Sequence, residues 1–259
     1  MVMNVCALAS GSSGNCFYVG NSKCAVLIDV GLSAKQICAR MEQCGLSPTN
    51  VKGIFVTHEH TDHVRGVDVF ARRFNVPVFA TRKTASACFL CDDESLIKLI
   101  KTIEEVNILG MCIETFGKVH DAVEPVSYTV VNGKKRVSVI TDLGHACKHI
   151  QEQVSEADFL FLESNHDEQM LKQGGYPDYL KQLILSDEGH LSNRQAGLCV
   201  LEHASARLRH VVLSHLSENN NTAQLALKTF TKLVRERNDL TDMGISLSLR
   251  SEPTDVWNV

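Results

Sequence analysis

The chain has 259 residues, a formal net charge of −4, 44% hydrophobic residues and 22% charged residues, which are values of an ordinary globular protein. It has no apolar run near the roughly 20 residues of a membrane span, and its first residues lack the pattern of a secretory signal. Because its ten cysteines lie in apolar stretches that suit a reducing compartment, we expect one cytoplasmic domain, residues 1–259, with no membrane partner.

The first third of the chain predicts short strands followed by alternating helices and strands. Apolar runs at 4–9, 16–20 and 23–31 are separated by turn residues, which indicates strands joined by hairpins. Residues 33–45 begin with a Ser N-cap, carry apolar residues every three or four positions and close on Gly, which predicts a helix. The elements predicted next are a strand at 51–56, a helix at 64–75, a strand at 76–81 and a helix beginning within 82–91.

The middle and last parts of the chain differ in character. Residues 104–144 alternate apolar and polar side chains around an Asn-Gly-Lys turn, which is typical of hairpins. From residue 157 onward strands alternate with helices, one of them over 193–204. This order predicts an α/β protein with two mixed sheets packed face to face and helices outside. Polar loops that follow the strands would then gather at one edge.

The densest chemical signal is THEHTDH, residues 57–63. In extended chain His58 and His60 point to the same side and Glu59 to the other, so we expect Glu59 not to bind metal. Asp62 and His63 come after the chain turns toward the next helix, and they could face a second position nearby. Imidazole nitrogens and carboxylate oxygens at this spacing are specific for a divalent metal site.

Residues in distant segments have to complete such a site. His120, Asp142 and His215 each follow a predicted strand, where a buried acid or histidine is otherwise out of place. Taken alone, each could equally be an ordinary core or surface residue.

The order of these residues resembles the metallo-β-lactamase superfamily, whose fold is a four-layer αββα sandwich with a dinuclear metal site at one edge. The resemblance implies that His58, His60 and His120 hold one ion, that Asp62, His63 and His215 hold the other, and that Asp142 bridges them. No cysteine occupies a ligand position, and a set of His and Asp ligands accommodates Zn²⁺ or Mn²⁺. Two such ions would activate a bridging water for hydrolysis. We therefore expect Asp62 to act as a catalytic residue as well as a metal ligand.

A second pair of residues points to phosphodiester chemistry. Glu163 closes an apolar strand and His190 precedes the helix at 193–204. Cleavage of a phosphodiester expels an alkoxide, which needs a proton donor that is not bound to metal, and His190 oriented by Glu163 would serve. The pair resembles the acid–histidine pair of tRNA-processing and DNA-repair nucleases in the superfamily. The alternative is that both residues only stabilise edge loops.

Weaker candidates surround this site. The loop ASGSSGNC is either a tight turn or a phosphate cradle, and its candidate residues are Ser12, Ser13 and Asn15. We also place Asn165, His166 and Asn193 near the site. The CxxC pair Cys88 and Cys91 is expected to be structural, and His145 and His149 are expected to lie on the surface.

Several longer strings resemble one bacterial branch of the superfamily, the YycJ/VicX (WalJ-like) family. Among them are LASGSSGNC, VTHEHTDH, TDLGH, LESNHDEQML, GHLSN and LSHLSENNN, and together the strings extend from residue 8 to residue 221. The resemblance implies a 5′-to-3′ exonuclease linked to DNA repair, with DNA favoured over RNA as the substrate. Basic candidates for strand contact are Arg65, Arg72, Arg73, Lys83 and Arg194.

Three alternatives stay open at this point. The same fold could hydrolyse a small thioester, lactone or cyclic phosphodiester, or it could process RNA. A non-catalytic accessory protein is a third possibility, which the intact set of candidate ligands disfavours.

Overall fold

A computed structural model of the chain describes residues 2–259. Within these residues the chain divides into two compact units. The first unit comprises the residues up to Gly117, Ala122–Lys135 and Leu249–Val259, and the second comprises Lys118–Asp121 and Arg136–Ser248. No helix formed by residues 2–259 has both the length and the apolar character needed to cross a membrane.

Strands and helices follow one another along the whole chain. In chain order the strands are β1 (Asn4–Ala9), β2 (Cys16–Gly20), β3 (Ala25–Ile28), β4 (Val51–Phe55), β5 (Val78–Thr81), β6 (Ile97–Ile100), β7 (Glu104–Ile108), β8 (Met111–Gly117), β9 (Val126–Asn132), β10 (Lys135–Ile140), β11 (Phe159–Glu163), β12 (His210–Ser214), β13 (Gly244–Leu247) and β14 (Trp257–Asn258). The α-helices are α1 (Ala34–Gln43), α2 (Thr61–Val64), α3 (Val67–Phe74), α4 (Arg82–Ala87), α5 (Lys148–Glu156), α6 (Glu168–Gln173), α7 (Asp178–Leu185), α8 (Asn193–His203) and α9 (Ala223–Val234).

The first unit is built on a mixed sheet in the order β14-β1-β2-β3-β4-β5-β6. Neighbouring strands run antiparallel from β14 to β3 and parallel from β3 to β6. Strands β1, β2 and β3 are apolar runs buried almost throughout, as expected for strands covered on both faces. Because the carboxyl ends of parallel strands meet at one edge, the residues after β3 and β4 emerge side by side.

Helices of the first unit cover this sheet through regular apolar positions. Helix α1 begins with a capping box in which the Ser33 hydroxyl accepts from the Gln36 backbone N–H. It buries Ile37 and Met41 in the same core cluster as Phe70 of α3. The helix predicted to begin within 82–91 is short and ends at Ala87, because Cys88 adopts an extended backbone conformation.

An antiparallel meander of β7, β8 and β9 also belongs to the first unit. Strand β8 alternates buried and partly exposed side chains over most of its length, which is the two-residue period that the sequence predicts. Leu109 and Gly110, both with positive φ, form the turn between β7 and β8.

The second unit is organised around the parallel strands β10, β11, β12 and β13. The chain passes through α5 between β10 and β11, through α6, α7 and α8 between β11 and β12, and through α9 between β12 and β13. These are βαβ connections, which the alternating pattern of the last third predicts. The residues that follow β10, β11 and β12 lie at the carboxyl edge of this parallel array.

Candidate metal centre

His58 and His60 lie on the loop that follows β4, and their ring nitrogens face each other. His58 Nε2 and His60 Nδ1 are 3.1 Å apart. Two donor atoms bound to one tetrahedral zinc at 2.0–2.1 Å would be about 3.3 Å apart. The spacing of these two nitrogens therefore fits two ligands of a single ion.

Asp62 and His63 form a second pair, in the single turn of α2 that follows the loop. Asp62 Oδ2 lies 3.5 Å from His63 Nε2, again close to the spacing of two ligands on one ion. The rings of His58 and His63 are 4.0 Å apart between centroids, so the two pairs are adjacent. One short segment thus presents two neighbouring donor pairs.

Asp29, which the sequence did not indicate as a candidate, orients the segment that carries His58 and His63. Its Oδ2 lies 2.7 Å from His63 Nδ1, and its two oxygens accept from the backbone N–H and the hydroxyl of Thr57 at 2.8 Å each. A carboxylate that accepts from Nδ1–H fixes the tautomer of His63 and leaves Nε2 to bind metal. The signal was present in the sequence, because Asp29 closes an apolar strand just as Asp142 does.

Glu59 has a separate role in the loop. Its Oε1 accepts the backbone N–H of Val123 at 2.8 Å. This hydrogen bond ties the metal-binding loop to the segment before β9.

The serine- and glycine-rich loop touches the second donor pair through one side chain. Asn15 is buried, and its Nδ2 lies 3.2 Å from Asp62 Oδ2 and 3.1 Å from His63 Nε2. Ser12 and Ser13 are exposed at the tip of the loop. Asn15 can therefore position the donor pair, while the two serines are accessible from solvent.

In the second unit, His120, Asp142 and His215 come together. Asp142 Oδ1 lies 3.0 Å from His215 Nδ1 and 3.9 Å from His120 Nε2, so the carboxylate stands between two imidazoles. Burial lowers the pKa of His120 to about 4, which keeps its ring neutral and able to bind metal. Burial would also lower the pKa of His215, but Asp142 and Glu163 outweigh it and raise that pKa to about 10. The two carboxylates thus favour positive charge beside His215, which a bound divalent ion would supply in place of the proton.

Glu163 and His190 form a buried pair beside these residues. Glu163 Oε1 accepts from His190 Nδ1 at 2.9 Å and from His215 Nδ1 at 3.1 Å, and Oε2 accepts the backbone N–H groups of Leu143 and Leu191, each at 2.9 Å. Burial would raise the pKa of Glu163, but its two histidine partners hold the pKa well below the usual range. The Glu163 side chain is 0% exposed and that of His190 is 22% exposed, so His190 is the member that a substrate can reach.

The weaker candidates of this region split into two kinds. Asn165 Nδ2 donates to the backbone carbonyl of His215 at 3.0 Å, and Asn193 Oδ1 accepts from the Ser164 hydroxyl at 2.6 Å. Both amides therefore support the loops that carry the site. His166 is buried, and neither of its ring nitrogens has a hydrogen-bond partner among residues 2–259. Burial lowers the pKa of His166 to about 4.

The remaining sequence candidates are five basic residues, two cysteines and two histidines. Arg72 forms a two-pronged ion pair with Asp68, at 2.8 and 2.6 Å, and Arg65 approaches the Ser13 carbonyl at 3.5 Å. The other candidates, all exposed or partly exposed except the buried Cys91, are Arg73, Lys83, Cys88, Cys91, His145, His149 and Arg194.

The donor set fits divalent metal ions. Neutral imidazoles and carboxylates, oriented by further carboxylates and carbonyls, are the ligands of zinc-type hydrolytic sites. Asp29, Asp142 and His215 also hold positive φ values of 60°, 56° and 56°, a strained conformation that non-glycine residues keep mainly at functional sites.

Comparison with known proteins gives concordant results. A sequence profile described as the Metallo-beta-lactamase superfamily matches residues 9–171. The chain is 38% identical to Exodeoxyribonuclease YycJ of Bacillus anthracis, over 92% of this chain and 91% of that protein. It is 36% identical to Exodeoxyribonuclease WalJ of Streptococcus pneumoniae, over 94% of this chain and 91% of that protein.

One solved structure confirms the predicted fold class. The metallo-beta-lactamase fold protein YhfI of Bacillus subtilis matches with a TM-score of 0.74 at 13% identity, and the match covers 100% of this chain and 99% of that one. At this identity the likeness shows the fold alone.

Proposed function

The chain belongs to the metallo-beta-lactamase superfamily, in the branch of the YycJ and WalJ relatives, and we propose that it is a metal-dependent phosphodiesterase, a 5′-to-3′ exonuclease on single-stranded DNA. The relatives' names supply the substrate class. The chemistry of the Glu163–His190 pair supplies a reason for phosphodiester cleavage that is independent of those names.

The proposal includes two metal ions, Zn²⁺ or Mn²⁺. His58, His60 and His120 would hold one ion, Asp62, His63 and His215 the other, and Asp142 would bridge them. The 3.1 Å separation within the first histidine pair and the position of Asp142 between His120 and His215 support this assignment. When bound, the ions supply activation of the attacking water and neutralisation of charge on the phosphoryl group.

The observation that carries the proposal is the hydrogen bond from His190 to Glu163. The buried Glu163 carboxylate lies 2.9 Å from His190 Nδ1, accepts its N–H and so fixes the orientation of the ring. The other ring nitrogen, Nε2, can then donate a proton to the departing alkoxide oxygen. Hydrolysis of a thioester or an activated lactone has less need of such a donor, because those leaving groups are better.

We further propose that both units form one hydrolase domain, residues 1–259, in the cytoplasm. The matched segment 9–171 includes residues of both units. Several cysteines pack as core residues, and burial raises the pKa of Cys6 and Cys199 to about 12, so these thiols are inert. Such use of cysteine suits a reducing compartment.

The test is degradation of single-stranded DNA labelled at the 5′ or the 3′ end, with Mn²⁺ or Zn²⁺ present. We expect mononucleotide release from the 5′ end. His190→Ala should lower kcat by about 10²–10⁴-fold, the usual contribution of a general acid, while bound metal stays unchanged. The matched control is His149→Ala, because His149 lies exposed on α5 and pairs with Glu152.

Three outcomes would contradict the proposal. Rapid hydrolysis of thioesters with DNA left intact would indicate a small-molecule hydrolase. A strong preference for RNA would indicate an RNA-processing nuclease. Full activity of His190→Ala would remove the proposed proton donor.

A further inference from the structure

Asn221 lies in a buried polar cluster next to the segment that carries Glu163. The residue is 5% exposed, and its amide pairs reciprocally with that of Asn193, with both N···O distances at 2.9 Å. Asn221 Nδ2 also lies 2.9 Å from the carbonyl oxygen of Ser164 and 3.0 Å from that of Asn165. Asn221 Oδ1 accepts the backbone N–H of Thr222 at 2.9 Å. Both the NH₂ group and the oxygen of the Asn221 side chain therefore form hydrogen bonds.

The segment that Asn221 contacts directly follows Glu163, a residue of the candidate site in the second unit. Ser164 and Asn165 directly follow Glu163, and their carbonyl groups lie beyond the end of β11. The Asn165 carbonyl also accepts the backbone N–H of Ser217 at 2.8 Å. Asn165 in turn donates from Nδ2 to the carbonyl of His215 at 3.0 Å. Asn221 thus forms hydrogen bonds to both residues that follow Glu163 in the sequence. Asn165 in turn links it to His215.

His215 needs such support because its backbone is strained. Its φ of 56° lies in the left-handed region, which costs a non-glycine residue about 1–2 kcal/mol. A hydrogen bond to its carbonyl oxygen helps to keep that conformation, and the conformation sets where the imidazole points. A change of about 1 Å in the position of a reacting group can lower a rate by about 10²-fold.

We propose that Asn221 is a positioning residue, which fixes the Glu163–His190 pair and the backbone of His215 by clamping Ser164 and Asn165. This inference rests on the proposed function of the site. The simpler alternative is that the cluster only stabilises the fold, in which case its loss would lower stability and leave the site geometry intact.

Asn221→Asp tests the proposal with little change of shape. The substitution keeps an oxygen for Thr222 and removes the NH₂ donor to the Ser164 and Asn165 carbonyls. We expect kcat on single-stranded DNA to fall by about 10–100-fold with KM within about threefold, and the weaker Zn²⁺ site to lose about tenfold in affinity. The absorption spectrum of the Co²⁺-substituted protein should change as well, because it reports ligand geometry.

The matched control is Asn220→Asp, one residue earlier. Asn220 is 1% exposed, and its side-chain amide has no hydrogen-bond partner among residues 2–259, so the same change buries the same carboxylate without removing the clamp. It should lower the melting temperature and leave kcat, metal affinity and the Co²⁺ spectrum as in the unaltered protein. If Asn221→Asp does not fold, Asn221→Ser replaces it with the same measurements.

Two results would overturn the proposal. One is an Asn221 variant with a lower melting temperature but with unchanged kcat, metal affinity and Co²⁺ spectrum. The other is an Asn220→Asp protein that loses activity and metal to the same extent. Metal affinity and the Co²⁺ spectrum need no substrate, so they test the positioning role even if the unaltered protein leaves DNA intact and the proposed nuclease function fails.

Discussion

At the level of single residues, the candidate site depends on carboxylates that orient histidines. Asp29 accepts from His63, and Glu163 accepts from His190 and His215. Backbone N–H groups also hold each carboxylate in place, that of Thr57 for Asp29 and those of Leu143 and Leu191 for Glu163. A buried carboxylate held in this way fixes the ring orientation of its histidine, and this is the property that a metal ligand or a proton donor needs.

The first prediction concerns Asp29. Asp29→Asn keeps an oxygen that can accept from Thr57, but it weakens the charge-assisted bond to His63. We expect Zn²⁺ affinity to fall by about 10–100-fold, as measured by competition with a chromophoric chelator. Asp68→Asn is the control, because Asp68 pairs with Arg72 on the surface and should not affect metal affinity. Unchanged Zn²⁺ binding in Asp29→Asn would show that His63 needs no such partner.

The second prediction concerns Glu163→Gln. Donors approach both oxygens of Glu163, so the NH₂ group of glutamine meets an opposing N–H whichever way the amide is turned. We expect kcat to fall by about 10²-fold or more, because His190 loses its charged partner. We also expect the free energy of unfolding in urea to fall by about 2–4 kcal/mol, from buried donors left unmatched. Glu202→Gln, at an exposed position of α8, should change neither value.

The residues of the site were predictable to different degrees. HxHxDH and the three later ligand candidates were found because a polar residue that closes an apolar strand is conspicuous. Asp29 closes such a strand too, but it is far from the motif in sequence, and only the parallel pairing of β3 with β4 brings it beneath His63. Asn221 was missed because its role depends on tertiary hydrogen bonds that leave no local pattern.

At the level of elements, strongly periodic segments were predictable and short or unpaired ones were not. Helix α1 follows the predicted capping and apolar spacing, because both signals are local. Strand β14 pairs with β1 and spans two residues, a length too short for any periodic pattern to show. Helix α7 has no buried residue, so the rule that places apolar residues on a buried face does not identify it.

The third prediction concerns Gly31, which lies in the loop between β3 and α1. A Cβ added to Gly31 would lie 1.6 Å from the carbonyl oxygen of Asp62, and backbone cannot yield as a flexible side chain does. Gly31→Ala should therefore displace the Asp62–His63 turn, lower the free energy of unfolding by about 3 kcal/mol and weaken metal binding. Gly175→Ala is the control, since a Cβ there meets nothing within 4 Å. Urea unfolding and metal titration of both variants decide the matter.

At the level of the whole molecule, the candidate residues follow parallel strands in both units. Asp29 and His58 come after β3 and β4 of the first unit. In the second unit Asp142 and His215 come after β10 and β12, and Glu163 is the last residue of β11. The carboxyl ends of parallel strands are where α/β proteins place their ligands, because the strands end there in step and the loops are free to vary. This regularity made the fold class predictable from one sequence and indicated where a candidate site should lie, whereas the contacts among its residues required the three-dimensional structure.

The last prediction concerns metal removal from the whole protein. A ligand that binds only the folded state at 100 times its Kd adds about 2.7 kcal/mol of stability. For a chain of this size we expect EDTA to lower the melting temperature by about 5–10 °C, and excess Zn²⁺ to restore it. His63→Ala should abolish most of the difference between the metal-loaded and metal-free proteins, because it removes a ligand of the second donor pair, whereas His149→Ala should preserve it. Identical melting curves with and without EDTA, in a protein shown to retain no metal, would contradict a metal centre formed by these residues.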